Sequence, residues 1–303
     1  MDDVFSVPGP WEGRFVAANG ARFYVVEAGS GPTVVLVHGY PGFWWSWRHQ
    51  LPALAAAGYH AVAVDVRGFG GSDKPPHGYD LDTCAADLVA LVRSRGAERA
   101  VFVGQGMGAW TCRYLPGLHP DVTAGIALVA MPHPRTRHGR VRPLPPRRLD
   151  RYRRALRAQF LRTRGSGAAT QAAADLAALL RDASGTSATW VTPEVIERYA
   201  AALAQPFVAP AAVASFDRLR PNWRERRRLA VVAAAGHAPT LIVHGQNDPV
   251  ATGESALEIA RSIGGRLRLE STPGAGHFVA EEAPDAVNAI LIDWLNGLGL
   301  PPR

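Results

Sequence analysis

The chain has 303 residues, 47% of them hydrophobic, with 33 lysines and arginines against 26 acidic residues and a formal charge of +7. That length buries a large core, either as one α/β domain or as a domain with an insert. A membrane span is not expected, because the most apolar stretch, residues 229–243, is broken by Gly236, His237 and Pro239 before it reaches the ~20 residues a span needs.

The start, MDDVFSVPGP, lacks the basic and apolar regions of a secretory signal, so a cytoplasmic location is expected. Short β-branched runs at 21–27, 33–37, 61–66, 100–103 and 125–129 predict strands. Several are continuous Val/Ile/Leu runs, as a parallel sheet covered on both faces requires. Amphipathic segments at 44–57, 81–94 and 107–118 predict helices between them, and this alternation implies a doubly wound α/β sheet. The pattern stops at Met131 and resumes at Thr240. The intervening residues hold no convincing strand, open on PHPRTRHGRVRPLPPRR, and predict helices at 149–162, 168–183 and 193–204. A helical cap over 132–236 is therefore expected between two core segments, 1–131 and 237–303. Strands return at 241–244 and 266–270, with helices at 253–263 and 283–295.

The segment RAVFVGQGMGAW reads as a strand, a tight turn and a helix. Its Gly104-Gln105-Gly106-Met107-Gly108 matches the G-x-S-x-G nucleophile elbow at every glycine but puts glycine at the reacting position. Glycine has no side chain with which to attack, so a covalent intermediate on Gly106 is chemically impossible. The strained turn also favours glycine on stability grounds alone once nucleophilic chemistry is no longer needed.

Chemistry in open α/β sheets gathers at the carboxyl ends of strands, so the residues after each strand matter most. They read HGYPGFWWSW (38–47), DVRGFGGSDKP (65–75), the elbow, HGQNDPV (244–250) and GAGHF (274–278). These blocks, in this order, resemble the α/β-hydrolase superfamily, and within it the epoxide hydrolases and the haloacid or haloalkane dehalogenases, whose HG-x-P, D-x-R-G-x-G-x-S, G-x-x-D-P and G-H-F motifs they match. The resemblance covers nearly the whole chain, the cap matching only in position and helical character. It implies an α/β-hydrolase fold with the order nucleophile, acid, histidine falling on Gly106, Asp248 and His277. It further implies an oxyanion hole made by the N–H groups of Tyr40 and Met107. Tyr40, Trp44, Trp45, Trp110 and Trp190 are candidate walls of an apolar pocket, while His38 and Arg67 are expected to brace loops. Epoxide hydrolases use cap tyrosines to bind the ring oxygen. Here Tyr152 is the candidate, Tyr199 reads as packing, and Phe216 stands near the place of a second tyrosine.

The expected function is an enzyme in which the Asp248–His277 pair works as a general base without covalent catalysis, on a hydrophobic small molecule such as a biosynthetic intermediate. Cyclisation, isomerisation, elimination and direct water attack all fit. An epoxide hydrolase or esterase inactivated at the nucleophile, and a small-molecule-binding pseudoenzyme, are the alternatives. No metal or organic cofactor is indicated, and Cys84 and Cys112 read as buried free thiols that neither frame disulfides nor hold a metal. Charge is concentrated in one place: residues 135–164 carry twelve arginines and one acid, Asp150, a net +11, while the remaining 21 basic and 25 acidic residues leave −4. That run is a solvated helix face, or a patch that steers an anionic substrate or an acidic carrier domain. Nucleic acid fits least, with only Tyr152 and Phe160 interleaved.

Overall fold

The computed structural model describes residues 4–132, 136–137, 140–141, 168–217 and 222–300. Eight strands form one sheet: β1 (Glu12–Ala18), β2 (Ala21–Ala28), β3 (Thr33–Val37), β4 (His60–Val64), β5 (Ala100–Gln105), β6 (Thr123–Val129), β9 (Thr240–Gly245) and β10 (Leu267–Thr272). The spatial order is β1-β2-β4-β3-β5-β6-β9-β10. Only the β1/β2 and β2/β4 pairs are antiparallel. The sequence expectation of a doubly wound, mostly parallel α/β sheet is therefore met.

Every residue of β3, β4 and β5 is buried, which is why these strands read as apolar runs with polar residues only at their ends, Thr33, His60 and Gln105. Val34 and Leu36 point into one core cluster, Val35 and Val37 into the other, as the two-residue period of a strand demands. The first cluster is closed by α1 (Gln50–Ala56) and α9 (Pro284–Asn296), and the second by α2 (Leu81–Ser94), α3 (Met107–Leu118) and α8 (Gly253–Arg261). Helix starts are capped by side chains: Asp80 accepts from the Thr83 N–H at 2.9 Å, and Thr252 from that of Ser255 at 3.4 Å.

Several elements differ from the sequence expectation. β1 was not expected, because EGRFVAA leaves four of its first residues exposed at the sheet edge. Its true signal is the turn Asn19-Gly20, both with positive φ (44° and 71°), which joins it to β2. The helix expected over 44–57 is two pieces, a 3-10 turn Trp44–Trp47 and then α1. In one continuous helix the Pro52 ring would collide with the carbonyl of Arg48, and the break falls at that point. Thr136–Arg137 (β7) and Arg140–Val141 (β8) pair as a short antiparallel ladder in a region where no strand was expected.

Between β6 and β9 the described residues also form α4 (Ala168–Ala183), α5 (Pro193–Leu203), α6 (Val208–Asp217) and α7 (Trp223–Ala235), of which the last two were not expected from the pattern. The helix expected over 149–162, Tyr152 and most of the arginine run lie outside the described residues. Among the described residues no single helix is long and apolar enough to cross a membrane.

The chain leaves β3 for β4 on one side and later places β5 on the other side of β3. The switch in strand order thus lies between β3 and β5, whose carboxyl ends sit side by side with Val37 opposite Gly104. A crevice opens beyond such a point, and it is here that HGYP and the elbow meet.

Candidate active site

The turn from β5 to α3 brings three backbones almost into contact. A Cβ on Gly104 would lie 2.5 Å from the Ala109 N, one on Gly108 2.2 Å from the Val37 carbonyl, and one on Gly39 2.7 Å from the Gln105 carbonyl. Glycine at these positions is a packing requirement. Gly106 is different. Its φ of 54° and ψ of −111° disfavour a side chain, yet a Cβ there would meet only Nε2 of His277 at 3.7 Å and the Gly39 Cα at 4.0 Å, which is ordinary contact. The backbone is anchored by the Gly106 N–H to the Val129 carbonyl at 3.0 Å. Met107 then begins α3, and as the first residue of a helix it carries an N–H with no acceptor inside the helix.

His277 reaches this turn from the loop after β10. Its N–H donates to the Ala183 carbonyl at 2.8 Å, and its own carbonyl accepts from Nε2 of Gln105 at 3.2 Å. The loop is further pinned by Glu282, whose carboxylate accepts from the N–H groups of Gly185 and Gly276, each at 2.8 Å, and Phe278 at 2.9 Å. Nδ1 of His277 is 3.0 Å from Oδ2 of Asp248. The other Asp248 oxygen accepts from the N–H groups of Val250 at 2.6 Å and Ala251 at 2.8 Å. With Asp248 beyond Nδ1, Nε2 is the ring nitrogen left facing Gly106. Burial opposes the imidazolium, but the charge and hydrogen bond of Asp248, with Glu282 behind, outweigh it and lift the pKa of His277 above the ordinary histidine value.

The HGYP loop is braced from beneath. His38 accepts the Val66 N–H on Nε2 at 3.1 Å and places Nδ1 3.0 Å from the Gly39 carbonyl. Burial drops its pKa to about 4, against the pull of that carbonyl, so it is a neutral strut. Arg67 grips Asp87 through two bonds of 2.6 and 2.7 Å. Asp65 accepts from the Trp44 N–H at 2.6 Å and the Gly71 N–H at 2.8 Å. Burial pushes its carboxyl up to about 7 despite those bonds. The bracing roles expected of His38 and Arg67 match these contacts.

A pocket of about 290 Å³ faces His277 and Gly106, its open mouth included. Tyr40 and Phe278 supply its aromatic surface; Ser46, Gln105, Tyr199 and Glu281 supply polar groups. Tyr199, fully buried on α5, donates its hydroxyl to Glu281 and lies 2.9 Å from Oγ of Ser46. Glu281 in turn pairs with Arg48 at 2.6 Å, and the Arg48 guanidinium stacks 3.8 Å above the Trp45 ring. Burial first, then the Glu281 charge, holds the Tyr199 phenol well above its usual range, and burial likewise raises Glu281 against the pull of Arg48. Among the described residues no cluster of His, Cys, Asp and Glu is placed to hold a metal ion.

The profile of the alpha/beta hydrolase fold family matches residues 32–284. The chain belongs to this family. Among its relatives, epoxide hydrolase A of Mycobacterium tuberculosis (strain ATCC 25618 / H37Rv) is 34% identical over 95% of this chain and 98% of that protein. The AB hydrolase superfamily protein YfhM of Bacillus subtilis (strain 168) is 28% identical over 93% of this chain and 97% of its own. The crystal structure of epoxide hydrolase A from Mycobacterium thermoresistibile superposes with a TM-score of 0.74 at 30% identity, covering 97% of this chain and all of that one. The chain is thus an epoxide hydrolase-like α/β hydrolase.

The structure places Tyr40, Gly106 and His277 on one pocket, with Asp248 bonded behind His277 and Met107 at the start of α3. The tryptophans are a correction. Trp44 is buried under the loop with its indole N–H on the Phe5 carbonyl at 3.0 Å, and Trp110 stacks edge-on to Tyr114 in the opposite core cluster. Trp45 and Trp190 stand one layer back, behind Tyr199 and Phe278. None of the four is among the described residues lining the pocket. Large rings near strand ends fill the core as readily as they line a cleft. Tyr199 is the converse correction: expected as packing, it faces the pocket. Its only sequence signal was indirect, the acids Glu281 and Glu282 following the GHF motif in an apolar run. Cys112 is buried as expected, whereas Cys84 is half-buried.

Proposed function

We propose that the protein is a catalyst whose Asp248–His277 pair acts as a general base without a covalent intermediate, on a hydrophobic small molecule. One observation carries this reading: Nε2 of His277, whose Nδ1 is held by Asp248, lies 3.7 Å from where a Cβ on Gly106 would stand, the place where the family scheme puts a nucleophile and this chain has no side chain. The space beside it is wide enough for about one water molecule or one small reacting group. In direct water attack, Nε2 takes a proton from water as the water oxygen bonds to the electrophilic carbon. The pair of electrons from the opening C–O bond stays on the leaving oxygen, facing the N–H groups of Met107 and Tyr40, and the imidazolium returns the proton to it. In an isomerisation, elimination or cyclisation, the proton comes instead from the substrate's own C–H or O–H. Asp248 keeps the imidazole in the right tautomer and stabilises its charged form. The Tyr199 hydroxyl, with Ser46, offers a polar wall opposite the base, and the helices between β6 and β9 act as the cap that completes the pocket.

The test compares wild type with His277→Ala by mass spectrometry in isotopically labelled water, on epoxides, aryl esters and an extract of the producing cell. Conversion that vanishes in the variant supports the proposal, and label uptake separates hydrolysis from rearrangement. Turnover unchanged by the substitution overturns it. The room around Gly106 supports a second reading, a hydrolase disabled at the nucleophile. Restoration of multiple turnover by Gly106→Asp, in a wild type that converts nothing, would establish that one.

A further inference from the structure

β10 ends the sheet: it pairs with β9 on one side, and among the described residues no strand lies on the other. The parallel ladder fixes which way its peptide groups face. The Thr240 N–H donates to the Arg266 carbonyl at 2.8 Å and the Gln246 N–H to the Thr272 carbonyl at 3.1 Å, so the even-numbered residues turn their peptide groups toward β9. Those of Leu267, Leu269 and Ser271 turn outward, to the open edge.

The side chains of this edge are apolar on one face and charged on the other. Leu269 stands beside Ile242 of β9, which belongs to the core cluster closed by α8, so Leu267 and Leu269 share the α8 side of the sheet. Both are exposed, and so is Leu257 of α8, a helix that packs on β9 and β10. Arg268 and Glu270 lie on the opposite face, bonded to each other at 2.7 Å, with Arg268 also bonded to Asp293 of α9 at 2.6 Å. The strand, LRLEST, has neither the proline nor the lysine with which proteins commonly blunt an open edge, and such an edge is a template for another strand.

We propose that this edge pairs with β10 of a second copy of the chain, antiparallel across a two-fold axis at Leu269, so that the sheet continues from one molecule into the other. The strand's own sequence selects that register. With the axis at Leu269, the outward-facing peptide groups of Leu269 meet their counterparts, those of Leu267 meet Ser271 of the second copy, and Arg268 stands across from Glu270. An axis at residue 268 would set arginine directly against arginine, and one at 270 glutamate against glutamate, both destabilising. The Leu269 register instead places leucine against leucine on one face and opposite charges on the other, as a self-complementary interface requires. The pairing does not depend on the chemistry at His277, although the loop carrying that histidine begins where β10 ends.

The test is sedimentation velocity on the full chain over a concentration series, with thiol cross-linking to read the register. A reversible dimer is expected. Leu269→Lys changes an exposed side chain and sets like charges against each other at the axis, so it should keep the wild-type circular dichroism spectrum and weaken the dimer at least about tenfold. In a Cys84→Ser background, Leu269→Cys should form a disulfide between copies under mild oxidation, because its facing Cα atoms would stand about 5.5 Å apart. Leu267→Cys should not, since its two copies would be roughly 14 Å apart, although Leu267 is as exposed as Leu269. A chain that is monomeric at every concentration overturns the proposal. So does a dimer that Leu269→Lys leaves intact, or one in which both cysteine variants cross-link equally.

Discussion

Replacing Gly106 with serine tests the elbow more directly than any other change. The backbone at φ 54° resists a side chain, a strain of about 1–3 kcal/mol, but no collision is added because the new Cβ meets its nearest neighbour, Nε2 of His277, at 3.7 Å. At roughly 2–4 °C per kcal/mol for a chain of this size, Tm should fall by a few degrees to about 12 °C and no further. The hydroxyl, one bond beyond Cβ, comes within hydrogen-bonding reach of an imidazole already oriented by Asp248. General-base activation of that hydroxyl is worth about 10²–10⁴ in rate. With p-nitrophenyl acetate, Gly106→Ser should therefore show a burst of one p-nitrophenolate per chain and a matching acyl adduct by intact-mass spectrometry, at least about 10²-fold faster than wild type. Gly106→Ser/His277→Ala should lose both. The reasoning is refuted if wild type itself forms a stoichiometric adduct, since some other group would then be the nucleophile. It is refuted equally if the serine variant folds with the expected Tm and acquires none.

Three further outcomes follow from the same geometry. A base must be unprotonated, and the His277 pKa is raised, so kcat/KM should climb with pH through a value above 6.5; Asp248→Asn should move that limb downward and cost about 10³-fold or more in kcat. Asp65 and His38 make opposite contributions to stability. Folding raises the Asp65 pKa to about 7, so its contribution is lost as pH rises through the window from about 4 to 7, whereas folding lowers that of His38 to about 4, so its contribution is gained between about 4 and 6.5. Asp65→Asn leaves His38 unopposed, and a plot of Tm against pH should rise more steeply over 4 to 6.5 than in wild type; an unchanged slope would contradict the burial argument. Arg48→Met strands the Glu281 carboxylate beneath Tyr199 and should cost about 3–5 kcal/mol in denaturant unfolding, most of it recovered in Arg48→Met/Glu281→Leu.

The parts of this protein legible in its sequence are those whose cause is local. β3 runs apolar from Val34 to Val37 because both its faces are covered, and α2 begins where it was expected to because Asp80 caps it. The elbow, Asp248 and His277 were placed by motifs that sit at strand ends, and the sheet brings strand ends together whatever lies between them. β1 escaped notice because an edge strand needs no apolar run, and α7 because WRERRR precedes its apolar half. The Tyr199–Glu281 contact joins residues 82 apart across two helices, so no window of sequence contains it. The same distinction separates the glycines of the elbow. Gly39, Gly104 and Gly108 are fixed by backbones that would be struck by any Cβ, so the fold alone accounts for them. No such contact holds Gly106 to glycine: the space is there, and only the strained turn favours the missing side chain. On the proposed reading, glycine relieves that strain beside a histidine and aspartate joined by a 3.0 Å hydrogen bond, the arrangement that a base acting without a covalent nucleophile needs.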